Sequence, residues 1–171
     1  MCGIFGYVGK QDDAANIILE GLKLLEYRGY DSWGVATKVK SSTHSTSSGQ
    51  ELKVKSLRGG SGFVVEKHVG KIGEAHLKSS ILNLKSSLAI GHTRWATHGG
   101  VTEKNTHPHL DCTKSIAVVH NGIVENFQEL KEDLINKGHK FVSETDTEII
   151  SHLIEENLKH EGFSSSVRDA F

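Results

Sequence analysis

The chain opens on a short apolar run, CGIFGYVG, broken by glycines and closed by Asp12 and Asp13. Its length and flanking residues predict a buried strand whose glycines allow close backbone approach. From Asp12 the apolar period becomes helical: Ala14, Ile17, Ile18, Leu22 and Leu25 share one face, Asp12 or Asp13 is available as a cap, and Gly29 ends the helix. WGVATKVK and ELKVKSL then alternate as half-buried strands do, and SSTHSTSSGQ between them reads as a mobile hairpin loop. GKIGEAHLKSSILNLKS returns to helical spacing, and SLAIGHTR reads as a strand. The polar connection that follows, WATHGGVTEKNTHPHL, is long enough to be functional.

SIAVVHNGIV predicts another buried strand, ending at Asn121-Gly122, a pair suited to a tight turn. NFQELKEDLINK is helical, with Phe127, Leu130, Leu134 and Ile135 on the core side and Gly138 in the C-terminal capping position. In SETDTEIISHLIEENLKH, Thr145 and Glu148 have capping-box spacing ahead of Ile149, Ile150, Leu153 and Ile154, which sets Asp146 in the first turn of a helix. The chain stops at SSSVRDAF, partway through a further helix-patterned segment, so the expectation is a domain lacking its last strands. Periodicity alone reaches α+β and no further.

Composition narrows the function classes. A chain of 171 residues with 36% hydrophobic content can bury one core, so residues 1–171 are expected to form one domain. Twenty Lys and Arg against 21 Asp and Glu leave a net charge of −1, without the basic footprint of a nucleic-acid binder. No apolar stretch has membrane-spanning length, and the glycine-broken IFGYV is not a secretory leader. Two cysteines, Cys2 and Cys112, are too few for a disulfide framework, and neither sits in a CxxC pair suited to zinc or redox chemistry; a cytoplasmic location is expected. His92, His98, His107 and His109 crowd one stretch, yet their spacing matches no common zinc pattern, and no metal is expected. Gly59-Gly60-Ser61-Gly62 lacks the lysine and the strand-to-helix switch of a phosphate loop and reads as a turn.

The chemistry starts at Cys2. A small second residue permits removal of Met1, which gives one residue both a thiol and a free amine. An α-amine titrates at about 7.7–8.0, well below lysine, so it can act as a base near neutral pH. Such a cysteine is a self-contained nucleophile and base pair. A small cysteine filling space in the first strand fits its position equally well.

MCGIFGYVG, LEYRGYDS, GHTRWATHGG, NTHPH, VVHNGIVEN and SETDTE, in this order from Cys2 to Glu148, resemble the N-terminal glutaminase domain of the glutamine:fructose-6-phosphate amidotransferases, class II glutamine amidotransferases of the Ntn-hydrolase type. The resemblance implies a four-layer αββα sandwich, Cys2 as nucleophile, and an oxyanion hole made by the Asn121 side chain and the Gly122 N–H. It implies that Arg94 grips the glutamine α-carboxylate and Asp146 the α-ammonium, with Trp95, Thr97 and His98 lining the pocket and His107 supporting it. By spacing alone, Asn121-Gly122 would be a hairpin turn and Asp146 an ordinary first-turn acid.

L-glutamine is the implied substrate and no metal or organic cofactor is needed for its hydrolysis. The complete enzyme, a homo-oligomer, would pass the ammonia to fructose 6-phosphate in sugar-phosphate isomerase domains that this chain lacks, giving glucosamine 6-phosphate. No nucleic acid or membrane partner is implied. The phosphoribosyl-pyrophosphate amidotransferases share the cysteine logic and are the alternative, although EYRGYDS and SETDTE read as the sugar-phosphate type. An inactive, truncated glutamine-binding module is the other alternative. One residue departs from the pattern: Trp33 stands after RGYDS, where the family usually has a small side chain.

Overall fold

The helical spacing after Asp12 forms α1, Ala14–Leu25, in the computed structural model, which describes residues 2–40, 61–73, 80–96, 100–160 and 162–170. Asp13 is its N-cap, although the Asp13 carboxylate bonds the Asn16 side chain and caps no helix N–H. A 3-10 turn, Glu26–Arg28, closes the helix, and Gly29 ends it as expected.

Four antiparallel strands, β1 (Gly3–Val8), β2 (Ser32–Lys40), β3 (Ser61–Val69) and β4 (Leu88–Arg94), form a sheet in the order β1-β4-β2-β3. Because successive side chains alternate between faces, one register row, Phe5, Gly91 and Val35, faces α1, and the next, Ile4, His92, Gly34 and Lys67, faces away. The larger core lies between this sheet and α1 and contains Ile18, Leu22, Trp33, Val35 and Ala89, with Ile72 and Ile81 added from the connection. Trp33 is thus a core residue, stacked on His68 with ring centroids 4.5 Å apart, and it takes the room a small residue would leave to others.

Several strand expectations need correction. β1 is an edge strand, not a buried one: Ile4 and Phe5 are partly exposed and Val8 is 79% exposed. The strand paired with β2 is SGFVVEKHV, so Ser61 and Gly62 belong to β3 and not to a turn. ELKVKSL, SSTHSTSSGQ, Gly59 and Gly60 lie outside the described residues. Within GKIGEAHLKSSILNLKS, residues 74–79 also lie outside them, and the described remainder forms only a 3-10 turn, Ile81–Asn83.

A second, two-stranded antiparallel sheet pairs β5 (His109–Leu110) with β6 (Ala117–Val118). SIAVVHNGIV therefore supplies a two-residue, half-buried strand and then irregular chain, not one long buried strand. The helices α2 (Phe127–Asn136), α3 (Glu148–Asn157) and α4 (Phe163–Arg168) complete this half. On α2 Leu134 is buried but Ile135 is half exposed, and Gly138 follows the helix with a positive φ as its capping role requires. The N-cap of α3 is Thr147, two residues later than the capping box predicts. The hydroxyl of Thr145 meets Ser143 and His109 instead, while the Glu148 carboxylate accepts the N–H groups of Val142 and Ser143. Asp146 accordingly precedes the helix.

The two sheets meet face to face, in the order helix, sheet, sheet, helix. Phe63 N–H of β3 donates to Lys114 O of the β5–β6 turn at 2.8 Å. Gly34 of β2 lies directly against the backbone carbonyl of His107, where any Cβ would overlap that oxygen. A side chain there would hold the sheets apart.

Candidate active site

Cys2 immediately precedes β1, and the pairing of Gly3 with Thr93 sets it beside the C-terminal end of β4. Gly3 N–H donates to Thr93 Oγ1 at 3.1 Å, and Trp95 N–H points at Cys2 Sγ at 3.3 Å. Sγ lies 3.7 Å from Trp95 O, so the thiol is held between the two main-chain groups of one residue.

Asn121 arrives from the other sheet, in the segment after β6. Its Nδ2 donates to Cys2 O at 3.0 Å, and its Oδ1 lies 2.9 Å from His92 Nε2. His92 is fully buried on β4. Burial pushes it down to about 4, the hydrogen bond with Asn121 opposes this, and the charges of Arg94 and His120 lower it further. The ring is therefore neutral at physiological pH. An amide oxygen can only accept, so His92 carries its proton on Nε2 and turns the Asn121 amide with its NH2 toward Cys2. Gly122 follows with its N–H in the same segment.

Arg94 ends β4 and is 4% exposed. Its Nη1 donates to Gly100 O at 3.1 Å. Burial draws its pKa below the usual range, and the nearby charges of Cys2, Asp31 and Asp146 oppose that shift, which gathers these groups around one cation. The RGYDS segment wraps the same strand end. Asp31 N–H donates to Arg94 O at 3.1 Å, and its carboxylate accepts Ala96 N–H at 2.9 Å. A Cβ on Gly29 would fall 2.8 Å from the Arg94 carbonyl carbon, so only glycine lets this segment approach. Asn105 ties in the acidic segment: it donates to Gly100 O at 3.2 Å and to Glu144 at 3.3 Å, and Glu144 N–H returns a bond at 3.0 Å. Asp146 accepts Val124 N–H at 2.8 Å and so fixes the chain just past Asn121-Gly122.

The structure thus gathers Cys2, Arg94, Trp95, Asn121, Gly122 and Asp146. Trp95 is 44% exposed and tilts against Tyr30, centroids 5.3 Å apart. His107 sits deeper, between the sheets, with its ring 4.3 Å from His92 and 4.6 Å from His109. Burial, reinforced by the neighbouring His92 and His109, pushes it far below the ordinary histidine range. His109 is lowered to about 3, first by burial and then by Lys67. Thr97 and His98 lie outside the described residues. Sequence reading assigned no role to His92, Asp31 or Thr93. Strand alternation carries a signal for His92, which shares a face with Arg94 two residues on; Asp31 and Thr93 act through main-chain contacts that leave no periodic trace.

The chain matches the glutamine amidotransferase domain family over residues 65–162. It is 49% identical, over all of its 171 residues, to a glutamine–fructose-6-phosphate aminotransferase (isomerizing) of Pyrococcus horikoshii, of which it covers 25%. It is 46% identical over 162 residues, 95% of the chain, to the enzyme of the same name from Chlamydia muridarum, of which it covers 23%. The chain spans about a quarter of the length of these relatives. Among solved structures, 99% of it superimposes on 32% of a glutamine phosphoribosylpyrophosphate amidotransferase from B. subtilis, with TM-score 0.70 and 25% identity. A structure described as the allosteric regulatory enzyme of purine biosynthesis gives TM-score 0.73 at 26% identity, covering 99% of this chain and 32% of that one. With more than half of its residues inside the family match and the site residues gathered in one fold, the chain belongs to the glutamine amidotransferase domain family.

Proposed function

We propose that residues 1–171 form a glutaminase domain that hydrolyses the side-chain amide of L-glutamine, with Cys2 as nucleophile. The observation that carries this reading is the hydrogen bond from Asn121 Nδ2 to Cys2 O, which joins the amide donor to the nucleophilic residue across the two sheets. With Met1 removed, the α-amine of Cys2 takes the thiol proton as sulfur attacks the amide carbon. A C–S bond forms, and the developing oxyanion is met by Asn121 Nδ2–H and Gly122 N–H. The C–N bond then breaks, the leaving nitrogen takes the proton back from the amine, and ammonia departs. Water, deprotonated by the same amine, cleaves the thioester and frees glutamate. Arg94 pairs with the substrate α-carboxylate and Asp146 with its α-ammonium, while Trp95 lines the pocket and His107 backs it from between the sheets.

In a full-length protein of the relatives' size, this ammonia would serve fructose 6-phosphate. The 46–49% identity to the isomerizing aminotransferases, against 25–26% to the purine-pathway structures, favours the sugar-phosphate acceptor. Cytoplasmic metabolism suits such a domain, and among the described residues no helix is long and apolar enough to cross a membrane. Cys2→Ala tests the assignment. The variant is expected to bind glutamine by calorimetry and to release no ammonia; ammonia release at the original rate would remove Cys2 as nucleophile.

A further inference from the structure

Away from this cleft, four side chains from three segments each aim one donor atom at a common point. Cys112 lies in the turn after β5, His139 just past α2, and His152 and Glu155 stand one turn apart on α3. Cys112 Sγ is 3.8 Å from His139 Nδ1 and 3.6 Å from His152 Nδ1. The two Nδ1 atoms are 3.3 Å apart, and Glu155 Oε2 lies 3.0 Å from one and 3.3 Å from the other. All four donors fall within 4.8 Å of one another. Around a tetrahedral zinc ion at ordinary bond lengths, ligand atoms are about 3.3 Å apart between nitrogen or oxygen and about 3.6 Å between sulfur and nitrogen. The five edges among Cys112 Sγ–imidazole, imidazole–imidazole and imidazole–carboxylate pairs follow that pattern, with the sulfur–nitrogen edges the long ones, and Cys112 Sγ lies within 4.8 Å of Glu155 Oε2. We propose that Cys112, His139, His152 and Glu155 bind zinc as a closed, four-ligand structural site.

The surrounding groups suit it. His139 Nε2 is 2.9 Å from Glu156 Oε2, and a carboxylate there requires a proton on Nε2, which leaves the Nδ1 lone pair for a metal. His152 Nε2 lies 3.8 Å from Glu148 Oε1, beyond hydrogen-bond length, so the carboxylate acts on it only as a nearby charge. Backbone donors support the two anionic ligands: Lys140 N–H points at Cys112 Sγ at 3.4 Å, and Cys112 N–H at Glu155 Oε2 at 3.1 Å. One thiolate and one carboxylate neutralise a divalent cation, so a site walled by two buried imidazoles carries no net charge. Cys112 is exposed and gives an ion access from solvent.

With four protein ligands there is no open position for substrate or water, which makes the site structural. It would tie the β5–β6 turn, the end of α2 and the face of α3 together, beside the small apolar cluster that Ile116, Ile150 and Ile154 form with Val118, Val124, Val167 and Ala170. This departs from the expectation of no metal. The crowded histidines from 92 to 109 are not the ones that meet; the donors lie 27, 13 and 3 positions apart, and only the last spacing is helical.

The test is metal analysis of the 171-residue chain, expressed with zinc and purified without chelator. About one zinc per chain is expected in the parent protein, and little in Cys112→Ser. Cobalt added to the apoprotein should give a tetrahedral spectrum with a sulfur-to-metal charge-transfer band, an observation on the unmutated chain that does not depend on a variant folding. Glu156→Ala, which removes the carboxylate behind His139 together with its exposed pair with Lys159, should weaken zinc binding by roughly 10- to 100-fold. Substoichiometric zinc in the parent chain overturns the proposal and leaves a hydrogen-bonded cluster in which His139 lies between Glu155 and Glu156. Zinc content unchanged in Cys112→Ser, or cobalt binding without the sulfur band, overturns it as well.

Discussion

His92→Leu separates a positioning role from simple core packing, because the buried imidazole has both a hydrogen-bond partner and a depressed pKa. The substitution keeps an apolar side chain of similar bulk between the sheets but leaves Asn121 Oδ1 without its donor, at a cost of about 1–3 kcal/mol near neutral pH. Acid changes the comparison. The folded-state pKa of His92, about 4, lies below the unfolded value of 6.5, so the unfolded chain takes up the proton first. The stability tied to neutral His92 is therefore fully present above pH 6.5 and drains away as pH falls toward 4.

At about pH 4.5 the drain amounts to about 2.5 kcal/mol, and the leucine variant does not share it. Arg94, His120 and His107 face the ring, and all of them disfavour its protonation or share its burial. Urea unfolding followed by circular dichroism, at about pH 7 and about pH 4.5, should show the gap between parent and variant closing or reversing in acid. Turnover should fall as well, with kcat more affected than KM, because the Asn121 amide loses its orientation. A gap of the same size at both pH values would refute the reasoning, since it would mean that His92 is not held neutral by its surroundings.

Arg94→Lys should raise the KM for glutamine roughly 10- to 150-fold, since one ammonium cannot reproduce a two-pronged carboxylate grip; steady-state kinetics with an unchanged KM would exclude the contact. Gly34→Ala should destabilise the fold by about 1–3 kcal/mol in urea titrations, because its Cβ would overlap the backbone carbonyl of His107 and crowd that of Glu66, neither of which is a flexible side chain. Blocking methionine removal with a bulky residue between Met1 and Cys2, verified by mass spectrometry, should reduce ammonia release by about 10²–10⁴-fold, the usual contribution of a general base. Near-normal rates from the blocked protein would require a base other than the α-amine.

Much of the site was legible because its motifs are local: Cys2-Gly3, Arg94-Trp95 and Asn121-Gly122 are contiguous in sequence and arrive together in space. What periodicity could not supply was partnership between distant segments. An apolar run such as IFGYV reads as buried whether its strand lies at the centre of a sheet or at its edge, and β1 lies at the edge. Thr145 and Glu148 have the spacing of a capping box, but His109 from the neighbouring strand captures the threonine hydroxyl, and the helix starts later. Trp33 departs from the family pattern yet fits, since it points into the core beneath α1 and away from Asn121.

The bond between Asn121 and Cys2 spans 119 positions, and it has a consequence for the order of events in the cell. Cys2, the proposed nucleophile, is among the first residues to leave the ribosome, and Asn121 and Gly122, its proposed oxyanion donors, follow about 120 residues later. At about 5–20 residues per second, the thiol waits many seconds before the second sheet can dock on the first. During that interval the amino terminus lies open to a peptidase able to remove Met1, and under the proposed mechanism no assembled cleft exists to turn over glutamine. Maturation and activation are thereby placed in sequence by the length of chain between two hydrogen-bonded atoms.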